Sequence, residues 1–323
     1  MRRTVVVFLA VLAVIAAAFI VSPLPGVYFI RFIFDKGAAA ASAALEPLVP
    51  ATISVSTHAY GEEASDEILD IYRAPDFDPA LPTVVWIHGG GFVSGRRGDI
   101  ANYLKILAGE GFTVVNVDYT IAPSATYPTP VRQVTRALEF LTREAGRLDI
   151  DPNRIVLAGD SAGAQIAAQT AAIIANPDYG ERVGVTSGVG PDQIVGALLF
   201  CGVYDITAMG HAGGILGGFV HVTAWAYSGE RNWRDSPRFV TMSLTGHLTA
   251  DFPPAFISAG NADPLAPQSV AIAEALEASG GKVETLFFPP DYTPALAHEY
   301  QFDLGVEAGQ TALSRATAWM RNL

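Results

Sequence analysis

One serine sits where a nucleophile could be held. In the stretch LAGDSAGAQIAAQ, Leu157 to Gln169, Ser161 follows the apolar run RIVLAG and precedes the helix-forming run AQIAAQTAAIIA. A serine on such a strand-to-helix corner, flanked by Gly159 and Gly163, matches the pattern G-x-S-x-G. The glycines leave room for strand and helix to pass closely. The bland alternative is an ordinary connection with a helix N-cap serine. A serine hydroxyl is a poor nucleophile at neutral pH. It needs a base, a group that orients the base, and donors for the negative oxygen that develops in acyl transfer.

The chain supplies candidates for each part. HGGGF, His88 to Phe92, ends the apolar run VVWI. Consecutive glycines let a backbone approach a substrate and turn amide N–H groups toward it. Gly90 and Gly91 are the expected donors, with the amide of Ala162 after the serine. His88, Gly89 and Asp160 are read as support for these two motifs, His88 as a loop-ordering side chain. PPAFISAGNADPLAP places Asp263 just past a strand-like run. KVETLFFPPDYTPALAHEYQF places His298 in the loop after the last such run. Asp291 is a rival acid, but it shares the loop of His298. The other histidines, His58, His211, His221 and His247, do not follow the final strand. The single cysteine, Cys201, lies in the apolar run IVGALLFCGVYD. It is expected as a buried inert thiol, and neither a metal nor a cofactor is expected.

These residues need a scaffold that brings distant segments together. From Pro82 onward apolar runs of strand length alternate with helical patterns, TVVWIHG, ANYLKILAGE, FTVVNVDY and TPVRQVTRALEFLTREA among them. Such alternation predicts a mainly parallel sheet with helices on both faces. Two earlier strand candidates, TISVST and SDEILDIYRA, read as an antiparallel edge. Residues 204–251 break the alternation and are rich in Gly, His and aromatics, which predicts a cap or lid.

HGGGF, VDYTIAP, GDSAG, DPLA and HEY together resemble the hormone-sensitive-lipase-like branch of the α/β hydrolases, the HGGG carboxylesterases. The resemblance covers roughly Pro82 to the C-terminus. It implies an α/β-hydrolase fold, hydrolysis of carboxylic esters without a cofactor, and a catalytic triad of Ser161, Asp263 and His298. It also implies a cap built from the N-terminal segment and the insertion after Leu198 to Phe200. The chain departs from the family at Thr120 and Ser124, where Arg and Glu are usual, and at Ala164, where a second glycine is common.

The N-terminus carries a separate signal. Arg2 and Arg3 precede an uncharged apolar run from Val5 to Val21. This predicts a membrane helix that anchors the chain with its catalytic domain outside the cytoplasm, or a signal peptide cleaved near Ala16 to Ala18 before secretion. VYFIRFIF, Val27 to Phe34, reads as interfacial. The expected organisation is an anchor and interfacial segment over 1–34, a linker or short helix over 35–50, and a hydrolase domain over 51–323. Of 323 residues half are hydrophobic and 16% charged, which excludes disorder, and the net charge of −12 argues against a nucleic-acid surface. The expected partners are therefore a membrane and a small-molecule or lipid-like ester. Two other functions use the same fold: an acyltransferase with the same acyl-enzyme, and a non-catalytic receptor or scaffold.

Overall fold

The computed structural model describes residues 2–323, apart from the side chains of residues 2, 3, 8 and 10–16. Eight strands form one sheet: β1 (Ser54–Ala59), β2 (Ile68–Arg73), β3 (Thr83–Ile87), β4 (Val114–Val117), β5 (Ile155–Asp160), β6 (Ile194–Phe200), β7 (Ala255–Ala259) and β8 (Val283–Phe287). Their order is β1-β2-β4-β3-β5-β6-β7-β8. β2 runs antiparallel to β1 and β4, and every other pairing is parallel.

The helices are α1 (Arg2–Val21), α2 (Leu24–Leu45), α3 (Arg97–Gly109), α4 (Thr129–Arg143), α5 (Ala145–Leu148), α6 (Ala162–Ala175), α7 (Pro177–Val183), α8 (Ile206–Met209), α9 (Gly214–Ser228), α10 (Ala266–Ala278) and α11 (Glu307–Arg321). Strand side chains alternate between faces, so one strand feeds two cores. Val85, Ile87 and Leu157 pack with Val131 of α4, Ile166 of α6 and Ile272 of α10. Val84, Trp86, Val156 and Ala158 pack with Leu104 of α3 and Ala316 and Met320 of α11. The inner strands β3 and β5 are buried at every position, as strands covered on both faces must be.

The topology also decides where a site can form. From β3 the chain crosses to β4 on one side, then returns to place β5 on the other. Ligands bind at such a switch point, outside the carboxyl ends of the strands. The loop after β3 begins at His88, and the turn after β5 is Ser161.

Two expectations for the N-terminal part need correction. The segment read as a linker or short helix, 35–50, is mostly helix but not a separate one, because α2 runs unbroken from Leu24 to Leu45 across position 35. The run AAAASAAL has high intrinsic helix propensity, and packing on α3 adds to it. The expected membrane helix, Val5 to Val21, finds no support: among the described residues no helix is long and apolar enough to cross a membrane. The side chains at 8 and 10–16 within that run lie outside the described residues. Pro23 and Pro25 separate α1 from α2, so the two do not merge into one longer rod.

Candidate active site

Ser161 is the hinge between β5 and α6 and holds a strained backbone, φ 51° and ψ −118°. A non-glycine residue there costs about 1–3 kcal/mol, which neighbouring contacts must offset. Its amide donates to the Phe200 carbonyl at 2.8 Å, and its own carbonyl accepts from Gln165 at 3.2 Å. The two motif glycines are required by close approach. A Cβ on Gly163 would lie 2.0 Å from the Ile87 carbonyl oxygen, and one on Gly159 would lie 2.6 Å from the Gly163 carbonyl carbon. Strand and helix therefore touch backbone to backbone, and the serine is pushed out above them.

The loops after β7 and β8 bring two side chains to this corner. His298 Nε2 lies 3.0 Å from Ser161 Oγ. His298 Nδ1 lies 2.9 Å from Asp263 Oδ2. Asp263 Oδ1 accepts from the Leu265 amide at 2.8 Å, which fixes the carboxylate. Residues 137 positions apart in sequence thus form one chain of hydrogen bonds. Asp291 is exposed. His58 bonds Ser56 on the edge strand, and His247 stacks on Tyr179.

Burial works against a protonated His298, but the Cys201 sulfur and the Asp263 carboxylate work for it, and the net shift is well above the ordinary imidazole value. Burial pushes the Cys201 thiol up, so it stays neutral at pH 7. The carboxylates beside His298 are then Asp263, 2.9 Å from Nδ1, and Glu299, 3.7 Å from Nε2, and both favour the charged imidazole.

The HGGG loop is held by a buried network. Gly90 and Gly91 have φ of 118° and 60°, a backbone that glycine adopts readily and other residues do not. The Val93 and Ser94 amides both donate to the Gly90 carbonyl, tightening the loop. Among the described residues, no hydrogen-bond acceptor engages the amides of Gly90 and Gly91. Ala162 opens α6, so its amide is one of the helix's unpaired N-terminal donors.

Asp160 accepts from the Gly89 amide and from Trp86 Nε1, each at 2.8 Å. Burial, then the charge of Glu299, pushes its carboxyl up to about 7 against those two donors. His88 lies 3.1 Å from Asp118 through Nε2 and 2.8 Å from the Gly89 carbonyl through Nδ1. Burial alone would lower the His88 pKa, yet the hydrogen bond and charge of Asp118 outweigh it and the shift is upward. Both ring nitrogens face acceptors, so the charged imidazolium fits this position.

Sequence reasoning missed several of these supports. Tyr119 stacks on His88 with centroids 4.3 Å apart and donates to the His88 carbonyl at 2.8 Å. Arg97 pairs with Asp70 and Asp118. Arg31 of α2 donates to the carbonyls of Val93 and Ala122, tying the N-terminal helix to the HGGG loop. Phe219 of α9 lies over that loop, its ring edge 3.0 Å from where a Gly91 Cβ would sit, and it packs on Phe34 of α2. Thr120, where the family carries Arg, bonds Asp66 and Gln133 instead. The only advance signal for Tyr119 was its place in VDYT, and a single sequence gives no pairing partner for it.

Residues 84–292 match a family model described as the alpha/beta hydrolase fold. An acetyl esterase of Salmonella paratyphi B is 28% identical over 215 residues, which cover 64% of this chain and 63% of that protein. The chain thus matches less than two thirds of the length of such curated relatives. Esterase B of Lactobacillus rhamnosis superposes with a TM-score of 0.79 at 22% identity, over 92% of this chain and 96% of that one. An esterase of Pyrobaculum calidifontis superposes with a TM-score of 0.73 at 22% identity, over 92% and 93% of the two chains. The family match spans most of the sheet, and HGGG and GDSAG stand on its two central strands, so the chain belongs to the α/β-hydrolase family, in its hormone-sensitive-lipase-like branch.

Proposed function

We propose that this protein is a serine carboxylesterase acting on short- to medium-chain or lipid-like esters. The observation that carries the reading is the run of hydrogen bonds from Ser161 through His298 to Asp263. His298 Nε2 takes the Ser161 proton as Oγ attacks the ester carbonyl. Asp263 keeps the remaining imidazole proton on Nδ1 and stabilises the imidazolium. The amides of Gly90, Gly91 and Ala162 receive the oxyanion, each worth about 2.7–4 kcal/mol in the transition state. His298 then protonates the leaving alcohol, and a water activated by the same nitrogen releases the acid.

Hydrolysis of a p-nitrophenyl ester series, acetate to palmitate, by the full chain tests the reading. Phe219 crowds the space over Gly91, and one relative is named an acetyl esterase, which supports a preference for shorter acyl groups. Absence of Ser161-dependent release across the series refutes the esterase. Product formed only with an added alcohol would point to acyl transfer instead.

The base must be neutral to act, so kcat/KM falls as pH drops through the His298 pKa. That pKa lies above the ordinary imidazole value, so the acid limb is centred above 6.5. Asp263→Asn removes one of the charges that favour the imidazolium. It is expected to move the limb downward while lowering kcat about 10⁴-fold. An unmoved limb in a pH–rate profile counts against the pairing.

We infer further that the N-terminal helices hold the domain against an apolar surface, the membrane partner expected of residues 1–34. α2 buries Val27 and Ile30 but leaves Tyr28, Phe29 and Phe32 more than half exposed, and Ile33 nearly half, as one stripe. Lys36 lies over the Phe32 ring at the edge of that stripe. An aromatic face with flanking cations is the pattern of an interfacial helix. Phe29→Glu with Phe32→Glu should weaken sedimentation with phosphatidylcholine vesicles at least about tenfold, given the apolar area removed. Equal binding by the variant refutes the contact.

A further inference from the structure

One buried nucleophile takes no part in the chemistry described above. Cys201 follows the last residue of β6 and has φ 45°, a positive value that a side-chain-bearing residue holds only under constraint. Its amide donates to Ser258 on β7 at 2.9 Å, so the backbone there is fixed. The thiol is fully buried. Its Sγ, one His298 ring nitrogen and one Asp263 carboxylate oxygen all lie within 4.8 Å of one another. Thiolate, imidazole and carboxylate together form a ligand set for a borderline or soft divalent ion.

A second observation points the same way. The Tyr204 hydroxyl is fully buried and, among the described residues, has no hydrogen-bond partner. It packs over Gly202, where a Cβ would lie 2.5 Å from it, one residue from Cys201. This oxygen lies against the Gly202 backbone, next in the chain to Cys201.

We propose that Cys201, His298 and Asp263 form an inhibitory site for a thiophilic divalent cation such as zinc or cadmium. The entry path is the His298 side chain, 30% exposed while Asp263 beneath it is buried. On binding, the Cys201 S–H bond breaks and its proton leaves to solvent, as does the second ring proton wherever His298 is an imidazolium, and the sulfur electron pair forms the bond to the metal. No electron transfer is involved. Neutral His298 has one free lone pair. While Nδ1–H donates to Asp263 that pair is on Nε2, the atom facing Ser161. A metal taking His298 therefore either caps Nε2 or parts Nδ1 from Asp263. Both remove the base. The inhibition rests on the esterase reading, whereas the binding does not.

Cadmium chloride titrated into the full chain tests this with two readouts. The chain has one cysteine, so a sulfur-to-cadmium charge-transfer band in the ultraviolet reports Cys201 alone. The expected band saturates at one ion per chain, and ester hydrolysis falls in parallel. Cys201→Ala should lose the band and need at least about 10- to 100-fold more cadmium to halve its own uninhibited rate, no less than the loss of an outer-shell partner costs. Unchanged inhibition of Cys201→Ala, or inhibition of the native chain with no band, overturns the site. Should Cys201→Ala not fold, His298→Ala retains the thiol, and its band must then require markedly more cadmium. If the native chain hydrolyses no ester, the band and its weakening in His298→Ala still decide the metal site. The failure would then belong to the esterase reading alone.

Discussion

Ser161→Ala is expected to lower kcat by about 10⁶-fold while leaving the fold intact. The side chain is nearly buried, but it contributes one hydroxyl, and its loss leaves no large cavity. What disappears is the atom that becomes acylated. His298→Ala should cost about as much, and the double variant scarcely more, because the two act as one unit. Residual rate above water then measures what the Gly90, Gly91 and Ala162 amides do alone. The check is a p-nitrophenyl ester assay beside thermal unfolding of each variant. A loss of less than about 10²-fold in a folded Ser161→Ala protein would sink the assignment of the nucleophile.

Gly163→Ala is expected to cost at least about 3 kcal/mol of stability and most of the activity. Its new methyl would meet the Ile87 carbonyl oxygen at 2.0 Å and the His88 carbonyl oxygen at 2.5 Å. Neither is the movable end of a side chain. To relieve the clash, α6 must retreat from β3. That motion separates Ser161 from the HGGG loop, so stability and turnover fall together. Gly37→Ala is the control. Gly37 lies in α2, where an added methyl would meet nothing within 4 Å beyond its own turn of helix, and the change there should be neutral or stabilising by up to about 1 kcal/mol. Urea denaturation of the pair settles it. A Gly163→Ala protein within about 1 kcal/mol of the native one would mean that strand and helix are not in backbone contact.

The segments that proved legible were those with one dominant signal. The apolar run TVVWI is a fully buried strand, and the strand expected at RIVLAG, its partner, begins and ends one residue later, at Ile155–Asp160. The edge pair β1 and β2 also forms, antiparallel as expected, but starts two or three residues later than the runs TISVST and SDEILDIYRA. Strand ends are set by hydrogen-bond register with the neighbour, which no local pattern contains. The Ala-rich stretch after Asp35 stays open between a linker and a short helix in the sequence, because its composition suits both. The packing of α2 on α3 decides between them.

The site divides along the same line. By itself the sequence determined the chemical types and their order: a serine between glycines, a glycine loop after a strand, then an acid and a histidine after later strands. Those are local motifs, legible because each turn admits few residue types. Only the tertiary structure decided which side chains meet. It sets His298 3.0 Å from Ser161, seats Asp160 under Trp86 and Gly89, and brings Arg31 of the N-terminal helix to the Val93 carbonyl. It also brings Cys201, outwardly an inert thiol at the end of an apolar run just past β6, close to the same histidine and aspartate. Such contacts join residues tens to more than a hundred positions apart. They depend on strand order and register, and these are fixed by packing of the whole sheet rather than by any one stretch of chain.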